Sequence, residues 1–133
     1  MKLGKTKAEL LAYSANKRWR TESTEITVNG KPVQTDDRSK VLVNQSFAMA
    51  RADRQYTKNW KLRDGEYTVL DNRQLLAMGE SMERWTVICY EKEREIAPRI
   101  QSGELKDTMA IDALYDTIPR ALTVNPITGA PTV

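Results

Sequence analysis

A chain of 133 residues has room for one domain with a sizeable core. It carries a net charge of +3, one Cys and no His. That excludes an intrachain disulfide and removes the commonest general base and imidazole metal ligand. The charge is uneven: residues 1–66 hold 14 Lys and Arg against 8 Asp and Glu, a balance of +6, and residues 67–133 hold 7 against 10, a balance of −3. The two halves can attract each other, or the basic end can meet an acidic partner. No apolar run approaches the roughly 20 residues that span a bilayer. Met1-Lys2-Leu3-Gly4-Lys5 has no apolar stretch behind its charges. Neither a signal peptide nor membrane association is expected, and the chain reads as soluble and made in a reducing cytoplasm.

Residues 5–20 predict a leading helix. Ala8, Leu11, Ala15 and Trp19 recur at three- and four-residue steps and form one apolar stripe, with Lys5, Lys7, Lys17, Arg18 and Arg20 over the remainder. Such a stripe ordinarily marks a core face. The sharper alternative is a docking helix, in which Lys17, Arg18, Trp19 and Arg20 meet a partner.

Next comes a stretch that occurs twice. Residues 26–45 and 61–80 align at an offset of 35 without a gap, so Asn29-Gly30 falls on Asp64-Gly65 and Asp36-Asp37-Arg38 on Asp71-Asn72-Arg73. In the first copy, β-branched Ile26-Thr27-Val28 leads into Asn29-Gly30, a strong signal for a type I′ hairpin. Pro32 lacks an N–H, so the return strand should lie at a sheet edge or Pro32 should start a strand. Asp36-Asp37 suits a helix start and its dipole. Val41, Leu42, Gln45, Ala48, Met49 and Ala52 then predict the buried face of a helix over 37–52. In the second copy, Trp60-Lys61-Leu62 leads to a turn at Asp64-Gly65, and Tyr67 to Leu70 returns. Asp71 with Gln74 has capping-box spacing. A helix should run from 72 to about 97, where Pro98 breaks or kinks it. Its apolar residues Leu75, Met78, Met82, Trp85, Cys89 and Ile96 follow a heptad seam. That seam covers the hairpins or receives a second helix, from this chain or another. The alternating charges of 91–95 read as a solvated surface. A last helix is expected over about 103–115, capped by Ser102, with Leu105, Met109 and Leu114 apolar. From 119 the chain becomes Pro-rich and acid-free, an arm free in isolation or ordered on a partner through Leu122, Val124 and Ile127.

Chemistry is hard to place. Asp36-Asp37 has no third carboxylate at ligand spacing, so capping explains it better than a metal. Cys89 lies mid-helix, lacks a His to act as its base, and has acidic neighbours that raise its pKa; it reads as a buried structural thiol. Gly30 and Gly65 are single turn glycines, not a phosphate loop. Trp19 and Trp60 beside Arg and Lys could stack bases, but no aromatic RNA-binding signature accompanies them, so nucleic acid is a minor alternative.

The run TVNGKPVQTDDRSK at 27–40 resembles a domain family of unknown function from tailed bacteriophages and prophages. The similarity continues through Trp60-Lys61, Asp64-Gly65, Val69-Leu70-Asp71, CYEKEREI at 89–96 and Gly103-Glu104-Leu105 to Ile111-Asp112, about residues 8 to 114. Domains of that kind are encoded among tail genes, near or fused to tail-fibre and fibre-assembly proteins. The resemblance implies a structural protein of the virion tail that binds other tail or tail-fibre proteins, with a homo-oligomer admitted. A fibre-assembly chaperone outside the virion is the alternative. The resemblance carries no catalytic residue over, and with the residue readings above no enzyme activity, cofactor or metal is expected.

The expected fold is α+β: two ββα units at about 25–53 and 57–97, the leading helix at about 5–20 and the closing helix at about 103–115. These form one domain over 1–118, followed by the arm at 119–133.

Overall fold

A computed structural model describes residues 4–61 and 65–122. Among the described residues the chain is α+β, with four helices and small sheets. The elements in order are α1 (Lys7–Glu22), β1 (Glu25–Val28), β2 (Lys31–Gln34), α2 (Asp37–Ala52), β3 (Lys58–Lys61), β4 (Tyr67–Leu70), α3 (Asn72–Gln101), α4 (Thr108–Tyr115) and β5 (Ala121–Leu122). Three helix starts show why they begin where they do. Thr6 and Glu9 form a capping box on α1, as do Asp71 and Gln74 on α3. Asp36 caps α2 by accepting from the Ser39 N–H, so that carboxylate does a capping job.

The first hairpin is the two-residue reversal that the sequence expects. Asn29 and Gly30 have φ of 50° and 83°, and Val28 faces Lys31 across the turn. β2 is an edge strand, which accommodates Pro32. The second hairpin departs from the repeat. Lys61 pairs with Tyr67, so five residues connect β3 to β4, and Asp64 lies outside the described residues. β3 also begins at Lys58, earlier than the aligned copy predicts. This registration pairs Trp60 with Thr68 on the half-buried face of the hairpin. Gly65 retains a positive φ of 90°. Gly65→Val should therefore cost about 1–2 kcal/mol, because a side chain resists that backbone region; a thermal melt checks this.

The two hairpins do not share a sheet. β1 is central in the order β2-β1-β5, with β5 parallel to it, while β3 and β4 pair alone. The Thr27 and Asn29 N–H groups donate to the carbonyls of Arg120 and Leu122. The chain after 119 thus begins as part of the sheet and not as a free arm.

α3 is the spine. Leu75, Met78, Met82, Trp85, Cys89 and Ile96 are all buried, together with Ile100, and the seam is filled within this chain by α1 and α2. The helix continues through Pro98 to Gln101. Pro98 itself is exposed, whereas Ile96 and Ile100 on either side are fully buried. Their burial offsets the lost hydrogen bond. Gly103, with φ of 83°, ends the helix, and its N–H donates to the Ile100 carbonyl. α4 starts at Thr108, capped by Asp107 and not by Ser102.

Two helix faces are rotated from their apolar stripes. α1 buries Leu10, Ser14, Thr21 and Glu22, leaving Ala8 and Trp19 exposed. Polar groups bring Ser14 inside, since Tyr115 Oη donates to the Ser14 carbonyl and shares a 2.9 Å hydrogen bond with Ser14 Oγ. α2 buries Val43, Ser46 and Ala50 and leaves Val41, Gln45, Ala48, Met49 and Ala52 exposed. Its approach to α3 is set by Gly79, against which Phe47 lies.

Candidate binding groove

The sequence placed its candidate contact residues on α1 and in the terminal segment. Lys17 lies 3.7 Å from Asp112 Oδ1 and 4.0 Å from Asp116 Oδ1. Arg18 donates to Glu93 Oε1 at 2.8 Å and Glu22 Oε2 at 2.7 Å, and stacks 4.2 Å from the Tyr90 ring centre. These two cations serve the fold: they hold the basic first half of the chain to the acidic second half. Trp19 is 47% exposed, and Arg20 is exposed with its guanidinium 5.8 Å from the Tyr13 ring. Leu122 is half-buried in β5, while Val124 and Ile127 lie outside the described residues. The structure therefore does not bring the seven residues into one described site.

Glu22 is the centre of the α1 network. Burial alone would raise its pKa, but hydrogen bonds from Lys40 and Arg18 outweigh that and hold it below 4.5. Because the folded value is depressed, the stabilisation is present above about 4.5, the ordinary value, and is lost as pH falls through the folded value. A Glu22→Gln variant should be less stable than the parent at pH 7, and the difference should shrink between pH 4.5 and lower values. Urea midpoints across that range test it.

Cys89 is fully buried. Burial, aided by Glu22, pushes its thiol up to about 12. The thiol should react with a disulfide reagent at the rate of unfolding, and labelling in the native state within seconds would contradict this placement.

A concavity of about 780 Å³ lies elsewhere, between the two hairpins. β1 and β2 contribute Val28, Pro32 and Val33, the second hairpin contributes Trp60, Thr68 and Leu70, and the start of α3 adds Ala77 and Met78. Lys31 and Lys61, both exposed, bring cations to this lining, and Glu25 brings a carboxylate. The local reasons are plain. The Asn29-Gly30 turn places Lys31 at the tip of β2, and pairing Trp60 with Thr68 turns both toward the groove. Lys58 Nζ donates to Ser46 Oγ and lies 5.7 Å from the Trp60 ring, fixing that wall to α2. The volume suits a ligand or a short stretch of peptide, and the lining is largely apolar with a few polar groups.

Among the described residues no group of three or more His, Cys, Asp or Glu could hold a metal ion, and no helix is long and apolar enough to cross a membrane. In the sequence Pro32 reads as an edge marker and Trp60 as an aromatic that could stack bases, and neither points to a groove. Nothing local says that two hairpins 35 residues apart will face each other across α3. A model of a domain of unknown function (DUF4376) matches residues 5–118. No curated protein and no solved structure matches the chain.

Proposed function

The chain belongs to the DUF4376 family, domains of unknown function, and we propose that it is a non-catalytic binding module that grips a segment of another protein between its hairpins. The observation that carries this reading is the open, largely apolar groove bordered by an edge strand. Apolar walls supply affinity and the strand edge supplies direction, which is how many peptide-binding folds work. We read the two hairpin-plus-helix stretches as corresponding halves that hold the groove between them. The likeness of these stretches to domains of tailed phages directs the proposal to the virion tail. There the chain would be a structural protein contacting other tail or tail-fibre proteins, and repeated copies would add through avidity.

Purified phage particles test the assignment. A structural part should co-sediment with them at a fixed copy number. A chain that is present during assembly but absent from finished particles would be a fibre chaperone instead. A salt-sensitive electrophoretic shift with DNA or RNA would move the reading to nucleic acid.

A further inference from the structure

We infer that the groove takes an extended peptide segment in which acidic side chains alternate with apolar ones; this rests on the binding-module reading above. Three observations converge. First, the walls are apolar: Val28, Val33, Trp60, Leu70 and Met78 line the cavity.

Second, one border is the outer edge of β2. Val28 and Lys31 close the two-residue turn as a hydrogen-bonded pair, and hydrogen-bonded pairs then alternate with non-bonded ones. Pro32 and Gln34 fall at the non-bonded positions, so their main-chain groups point outward. Pro32 has no N–H, so this edge offers two carbonyls and the Gln34 N–H. That is enough to align a short extended segment, and too little to template a long strand.

Third, the charge is one-sided. Lys31 and Lys61 come from different hairpins, both are exposed at the groove, and neither forms an ion pair among the described residues. Glu25 is the only carboxylate in the described lining, and it already has an interaction. Two unpaired cations beside an apolar trough favour carboxylates next to apolar side chains.

Fluorescence anisotropy with three labelled octapeptides tests this on the full chain: valine alternating with glutamate, with serine and with lysine. The glutamate peptide should bind best. In a Lys31→Glu/Lys61→Glu variant, shown by circular dichroism to keep its melt, its affinity should fall by about tenfold or more, and the lysine peptide should gain. Equal binding of all three peptides, no binding of the glutamate peptide, or an unchanged preference in the reversed variant would each overturn the inference. If the variant fails to fold, the ranking of the three peptides on the parent chain still decides. Should the chain co-sediment with particles while the glutamate peptide fails, the groove's ligand chemistry falls and the binding-module reading stands; failure of both removes both.

Discussion

Replacing Trp85 with alanine should lower the melting temperature by roughly 10 °C or more, since truncating a buried Trp costs about 3–5 kcal/mol and each kcal/mol moves the midpoint by a few degrees in a domain of this size. Trp85 has no solvent exposure. Its indole N–H donates to the Glu22 carbonyl at 3.1 Å, and the Arg120 guanidinium lies 5.5 Å from its ring centre. One side chain thus joins the middle of α3 to the end of α1 and to the segment entering β5. Removing it opens a cavity and also leaves a buried carbonyl without its donor. Trp85→Phe keeps most of the apolar volume and loses the donor, so it should fall between parent and Trp85→Ala. Thermal melts followed by circular dichroism give the ranking. An unchanged midpoint in the alanine variant would mean that the core is built around some other residue.

Gly79→Val should also be severe. A Cβ at Gly79 would sit 2.4 Å from Phe47 Cδ2, 2.5 Å from Cγ and 2.8 Å from Cβ. The contact reaches the root of the Phe47 side chain, which cannot swing aside as a flexible tip would. α2 would have to move off α3. Overpacking of this kind costs about 1–3 kcal/mol, occasionally more. The sign for alanine is the sharper test. In an exposed helix, Gly→Ala gains up to about 1 kcal/mol from propensity; at Gly79 the steric term should win and the protein should be destabilised. Combining Gly79→Ala with Phe47→Ala should restore part of the loss relative to the sum of the single changes, because the two residues are in direct contact. Urea unfolding of the four proteins measures this coupling, and strict additivity would contradict the close approach.

Much of the architecture was legible in the residues because it is locally encoded. Asn29-Gly30 specifies its turn through backbone preferences, and Asp36 and Asp71 specify helix starts through free N–H groups. The heptad seam of α3 identified a buried face in advance, since a sustained period of 3.5 survives wherever the partner comes from. The stripes on α1 and α2 misled for the opposite reason. They are short and weakly apolar, and long-range polar contacts rotate α1: Tyr115 takes Ser14 inside, and Arg18 is drawn to Glu93. On α2, Gly79 admits Phe47 and leaves Val41 and Met49 outside. Pro98 does not end α3, which runs on to Gln101 with Ile96 and Ile100 buried on either side of it, packing that the local proline rule does not include.

By itself, then, the sequence determined an α+β chain with its first reversal, the starts of α2 and α3, its buried α3 seam and the absence of His chemistry. Only the tertiary structure decided that Lys17 and Arg18 are consumed inside the molecule, that residues 121–122 join β1, and that the two hairpins frame a groove carrying Lys31 and Lys61. The reason is range. Turns and caps are settled by residues within four positions of one another, whereas a groove needs the packing of elements that the chain order never puts side by side.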